Sequence, residues 1–238
     1  MKTIALYWGY LIGEEHLTEE QFASIDFGNP SLDSEFITFD PLASSFFQGK
    51  YYTMNERKFA FPHRHIPTMR SETMLVYDDT SIKIINPPVD LETPVGIFLC
   101  IFTGQKSHIK KAIDFISNKI NLKFSTCDFD LEKFYSRISK TRFKVQPKSL
   151  VVSDLSIDSK LSGNLEVFVS DVETFNSNLN SYKPQTTEIK LIVKEVNLLI
   201  DLDITIDGCI SFSPDIINLN MLETIIDIAT RSVYTGLL

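Results

Sequence analysis

Residues 198–214 read LLIDLDITIDGCISFSP, and no other stretch limits the fold so tightly. Leu198, Ile200, Leu202, Ile204 and Ile206 alternate with Leu199, Asp201, Asp203, Thr205 and Asp207. A period of two puts the first set on one side of an extended chain and most of the acids on the other. Wound as a helix, the same residues would scatter aspartates all round the surface, and no apolar stripe would form. The segment therefore reads as a strand with one face on a core and one in water. Asp207-Gly208 supplies a hairpin signal, because the central residues of such a turn need positive φ. Ile210 and Phe212 continue the return strand, so an antiparallel sheet with one wet face is expected.

A second strand is legible at the start. In residues 4–12, Ile4, Leu6, Trp8, Tyr10 and Ile12 share one face, with Ala5, Tyr7, Gly9 and Leu11 on the other. Both faces are mostly apolar, which suits a buried central strand with Trp8 in its core; a ligand-stacking role for Trp8 is the alternative. Lys2 before an apolar run imitates a signal peptide. However, Glu14, Glu15 and His16 stand where small cleavage-site residues belong, and the run is too short to span a bilayer.

The remaining elements follow from pattern and punctuation. Thr18-Glu19-Glu20-Gln21 fits a capping box and predicts a short helix. Strands are expected near 51–54, 58–61, 73–77 and 81–85, with Asp78-Asp79-Thr80 as a hairpin turn. Pro87, Pro88 and Pro94 read as a connector and mark the candidate boundary between an N-terminal β-rich part, 1–88, and an α+β part, 89–238, with one continuous domain as the alternative. A strand at 95–102, a helix at 107–120, a strand at 122–127 and a helix at 130–139 follow. In the first of these helices Ile109, Ala112, Ile113, Ile116 and Ile120 form an apolar stripe. After residue 149 the chain reads as strands and a terminal helix. The expected class is α+β: a mostly antiparallel sheet with helices packed on one side and a strand-rich C-terminal part ending in a helix.

Charge is segregated along the chain. The whole carries net −8, but residues 104–148 hold eleven Lys and Arg against four Asp and Glu, a net of +7. Residues 149–238 hold five basic and thirteen acidic side chains, a net of −8. Such a basic middle contacts an acidic partner, follows a nucleic-acid backbone, docks on an acidic part of the same chain or a second copy, or is a solvated face. Cys100, Cys127 and Cys209 are widely spaced and lie in apolar contexts, as in buried thiols of a reducing, cytoplasmic compartment. No run is long and apolar enough for a transmembrane helix, so no membrane partner is expected.

Three segments hold candidate site residues. His63, Arg64, His65 and Arg70, in FPHRHIPTMR, form a polar loop surface. His63-x-His65 could place two imidazoles together, yet no third ligand has useful spacing, so no metal is assigned. Gly104, Lys106 and Ser107 sit where a strand meets a helix, where free amides attract an anion; an ordinary turn with Ser107 as cap is the alternative. Arg137, Lys140, Arg142, Lys144 and Lys148 form a basic row with Phe143 interleaved, and 140–144, if extended, points three cations one way.

Nucleophile-elbow, zinc-protease, P-loop and dinucleotide-binding spacings are all missing from the sequence, and no cofactor is implied. The sequence thus reads as a non-enzymatic protein-binding module, a complex subunit, adaptor or inhibitor whose segregated charges select a protein partner. The alternative is a subunit touching nucleic acid or phosphate through 104–148, and an enzyme of unfamiliar type stands third.

Overall fold

The computed structural model describes residues 3–13, 21–22, 24–40, 47–62, 69–85, 97–158, 161–169, 171–196, 198–212 and 219–233. The first strand, β1 (Ile4–Ile12), is the axis of the sheet. One edge pairs along its length with β5 (Ile97–Gly104), bringing Trp8 opposite Ile101. Its other edge is shared. Residues 4–7 pair with β11 (Cys209–Phe212), and residues 9–12 pair with β6 (Lys123–Thr126). Near Trp8 the handover is closed by the Trp8 N–H donating to the Gly208 carbonyl (2.8 Å) and the Cys127 N–H donating to the Trp8 carbonyl (3.3 Å).

From this axis the sheet extends both ways. Beyond β5 come β4 (Met69–Ile85), β3 (Phe47–Pro62) and β2 (Glu35–Asp40). Beyond β11 come β10 (Leu198–Thr205), β9 (Thr186–Glu195), β7 (Lys144–Asp158) and β8 (Leu161–Phe168). Every pairing among the described strands is antiparallel. The expected α+β class, with a mostly antiparallel sheet and a helix near the C-terminus, is what the structure shows.

Four helices cover the sheet among the described residues: α1 (Lys106–Ile120), α2 (Leu131–Ile138), α3 (Val172–Ser181) and α4 (Leu219–Thr230). Side chains of α2, α3 and α4 join Leu6, Trp8 and Tyr10 in one core with the inward faces of β7, β9 and β10. Ala5 and Leu11 point the other way, into a second core that α1 closes over Phe98, Cys100, Phe102 and Ile84. One-sided packing thus holds for three helices, while α1 lies on the opposite face. In consequence the C-terminal half of the sheet keeps one face exposed among the described residues. That face carries Lys144, Lys194, Leu199, Asp201 and Asp203, all exposed.

The period-two reading of 198–206 holds through Ile204, and Ile200, Leu202 and Ile204 are buried. Ile206 departs from it. It lies in the Ile206–Gly208 turn, which joins Thr205 to its partner Cys209, and it is 36% exposed. Gly208 adopts φ +75, and a Cβ there would stand 2.6 Å from the Cys127 carbonyl oxygen, so both conformation and space require glycine.

Several expectations are corrected. Asp78, Asp79 and Thr80 form no turn: β3 and β4 pair continuously from Phe47↔Ile84 to Pro62↔Met69, so these residues lie inside a strand. The sequence reading assigns no helix between 149 and 214, yet α3 forms. Its Asn- and Ser-rich sequence has weak helix propensity, but the Asp171 carboxylate caps the Thr174 N–H (2.7 Å), and burial of Phe175 and Leu179 compensates. The capping box at 18–21 and the connector prolines lie wholly or largely outside the described residues.

Non-glycine residues in the left-handed region are Asn121, Asp154 and Val196, among the described residues. Asn and Asp tolerate that region through local hydrogen bonding; a β-branched valine does not, and its cost is about 1–2 kcal/mol.

Trp8 is fully buried, packs edge-on against Phe129 at 5.2 Å and donates from Nε1 to the Thr230 hydroxyl in α4 (3.2 Å). That burial removes the ligand-stacking alternative. Trp8→Ala should lower unfolding free energy by about 3–5 kcal/mol in a denaturant titration. An unchanged midpoint would contradict Trp8's place at the sheet axis.

Candidate functional site

The basic row is not extended as the sequence suggests. Residues 139–143 form turns and bends after α2, and β7 begins only at Lys144. Phe143 is buried in the core, so it cannot stack on a base. The row is divided by its partners. Arg137 donates to the Arg231 carbonyl. Arg142 pairs with Glu195 at 2.7 Å, and Lys148 with Asp201 at 3.1 Å. Lys140 and Lys144 are exposed and have no carboxylate partner among the described residues.

The fold adds residues that the row does not contain. Lys144 stands directly opposite Lys194 across the β7–β9 pair, and Lys194 is exposed too. Like charges in register weaken a sheet locally, so nothing in the ladder itself favours this pair. Beside them Glu195 pairs with Leu198, and Val196 begins the two-residue connection between β9 and β10. Val196 is 82% exposed and Leu199 is 50% exposed. One end of the sheet therefore presents Lys144 and Lys194 beside bare valine and leucine side chains, with Lys140 exposed in the turn that precedes β7. The sequence signals the lysines by charge, but an exposed valine at a turn carries no motif.

At the other end of β9, Thr186 borders a cavity of about 350 Å³. Its apolar lining comes from Phe129, Leu131, Leu179 and Ile206. Asp128, Asp130, Glu132 and Lys183 complete the wall. Asp130 is the N-cap of α2, accepting from the Lys133 N–H at 2.9 Å, while Glu132 pairs with Lys183. Carboxylates at this end suit the positive pole of α2.

Between the two ends the open face is internally matched. Lys190 lies 2.9 Å from Glu166 and 3.6 Å from Glu188, and Ser149 donates to Glu166 at 2.9 Å. Hydrogen bonding with Lys190 holds the Glu166 carboxyl below its ordinary pKa. Burial pushes Asp203 up, helped by Asp201 and Glu166 and opposed by Lys190 and Lys148.

The anion-site residues are partly brought together. Gly104 ends β5 and Lys106 begins α1, but Gln105 is the N-cap, and its side chain makes no capping bond. Ser107 lies within the helix, exposed, and does not cap it. In that first turn His108 faces Asp78 at 3.7 Å. Asp78 also binds Arg57 and accepts from Asn55 (2.9 Å), so the chain itself supplies a carboxylate beside the turn. His63, Arg64 and His65 lie outside the described residues; Arg70 falls in β4, opposite Phe61.

A larger cavity, about 440 Å³, lies between α4 and β3–β5, with Lys83 facing a wall that includes Glu223 and Asp227; Asp227 is engaged by Arg231 at 3.0 Å. The three cysteines are free and buried. Burial pushes each thiol up, so they stay protonated and unreactive at neutral pH. Among the described residues no group of three His, Cys, Asp or Glu could hold a metal, and no helix is long and apolar enough to cross a membrane. No protein-family model and no curated protein matches the chain.

Thiol titration of the native protein should give no fast reaction and three equivalents after denaturation; a native equivalent would expose an activated cysteine. Asp78 yields a pH test. Burial raises its pKa, but Arg57, His108 and Asn55 outweigh that and hold it below the ordinary value. A carboxyl depressed in the fold adds stability above its unfolded pKa and loses it as pH falls through the folded one. Asp78→Asn should therefore lower the thermal midpoint at neutral pH, with the gap closing in acid. A gap that stays constant with pH would contradict the ion cluster.

Proposed function

We propose that the chain is a non-enzymatic protein-binding module, a complex subunit, adaptor or inhibitor, that docks an acidic protein surface on the Lys140–Lys144–Lys194 end of its sheet. A reducing compartment, the cytoplasm, suits its three free thiols. The observation that carries the reading is the sorting of cations there. Arg137, Arg142 and Lys148 are engaged within the molecule, whereas Lys144 and Lys194 are presented beside exposed apolar side chains and Lys140 is exposed in the turn before β7. Desolvated apolar contacts ringed by charge are how protein interfaces combine affinity with partner choice.

Exposed lysines would also attract a polyanion, which keeps nucleic acid as the competing reading. Against it stands the adjoining open face, where Glu166, Glu188, Asp201 and Asp203 would repel a phosphate backbone running along the strands. Gly104, Lys106 and Ser107 remain a weaker phosphate contact beside His108.

The test is a variant with Lys140, Lys144 and Lys194 changed to Glu. Arg142 is left alone because its reversal would break its ion pair with Glu195. The fold should survive, since all three side chains are exposed. Wild-type protein, nuclease-treated and purified at low salt, should retain a protein partner that the variant loses, with the loss mainly in association rate. Wild-type binding to labelled oligonucleotides that falls steeply with salt, with a slope flattened in the variant, would move the assignment to nucleic acid.

A further inference from the structure

Val196 breaks a local rule. The first position of a tight two-residue connection between paired strands favours Asn, Asp or Gly, because φ must be positive. Here a β-branched residue holds φ 50 with 82% of its surface exposed. Strain held at an exposed position, with no packing to compensate it, is a sign of use. An apolar knob flanked by Lys144 and Lys194 suits a receptor that is apolar inside and acidic at its rim.

The chain carries such a receptor at the other end of the same strands. The cavity lined by Phe129, Leu131, Leu179 and Ile206, whose wall carries Asp128, Asp130 and Glu132 against one cation, Lys183, begins where β9 begins, at Thr186. β9 ends at Glu195, beside the knob. Nine steps along a strand separate the two by roughly 30 Å at about 3.4 Å per residue. A molecule therefore cannot fill its own cavity, but a second copy placed head to tail along the strand direction can.

We propose that the chain self-associates in this way, the Val196 turn of one copy seated in the net acidic cavity of the next. This rests on the reading of the basic end as a docking surface and names its partner as a second copy. The contact is heterologous: each copy added offers a free knob at one end and a free cavity at the other, so assemblies grow or close into rings. Attraction between the flanking lysines and the net acidic wall makes the association weaken with salt.

Sedimentation of the full chain from micromolar to millimolar concentration should show a mass that rises with concentration and falls with added salt. Val196→Asn should abolish the rise while raising the thermal midpoint by about 2–4 °C, because asparagine relieves the left-handed strain. A merely structural turn residue would not give that opposite pair of changes. Asp128→Lys should also be monomeric; Asp128→Asn serves if the reversal perturbs folding. Mixed together, the knob variant and the cavity variant should form a one-to-one dimer and nothing larger, since one intact knob meets one intact cavity. Wild-type protein that stays monomeric throughout, or a Val196→Asn variant that still associates, overturns the proposal. If self-association fails while the Lys-to-Glu variant still loses a protein partner, the docking surface stands and only its occupant is wrong. If both fail, the reading of the basic end falls too.

Discussion

The structure depends on the divided pairing of β1. One edge is committed to β5 over eight residue pairs, while the other is split between β11 and β6. That split lets a single strand tie β2–β5 to β7–β11, because each side finds backbone partners on it. It needs a point where two strands from distant parts of the chain abut, and Gly208 is that point. Its carbonyl accepts from the Trp8 amide, and a Cβ built on it would collide with the Cys127 carbonyl. Alternation along β1 then sends Leu6, Trp8 and Tyr10 into one core and Ala5 and Leu11 into the other. Placement of helices on opposite faces follows, and with it the exposed face of the C-terminal half.

Buried side chains of both cores meet at this axis, and exceptions to local preference stand at one end of β9. Lys144 faces Lys194, and Val196 sits in the left-handed region with its side chain in water. None of these choices helps the C-terminal half fold. The open face between the ends is different, since Lys190, Glu166, Glu188 and Ser149 satisfy one another there. A matched middle thus lies between a basic end at Lys144 and Lys194 and a net acidic end at Asp128, Asp130, Glu132 and Lys183, aligned with the strands.

Much of this fold was legible from residues alone, for definite reasons. Trp8 and the 198–204 strand were readable because period-two alternation is a direct consequence of strand geometry, and α1 because its isoleucines recur at helical spacing. The β3–β4 ladder was hidden by Asp78-Asp79, which reads as a turn. In the structure Asp78 is held inside the strand by Arg57, Asn55 and His108, partners up to thirty residues away. Helix α3 was hidden because its support is tertiary, from Phe175 and Leu179. At the candidate site, sequence located the cations but could not sort them. Which of Arg137, Lys140, Arg142, Lys144 and Lys148 is spent internally depends on Arg231, Glu195 and Asp201, and Lys194 joins the group only through sheet register.

Amide hydrogen exchange, compared between dilute and concentrated protein, addresses the division between a stable axis and a docking perimeter most directly. The account predicts the slowest exchange in β1, β5 and β11 at both concentrations. It also predicts concentration-dependent protection confined to two places, the β9–β10 turn around Val196 and the segment from Asp128 to Glu132 with Ile206. Protection that appears instead along β2, β8 or the open face, or no change with concentration anywhere, would contradict it.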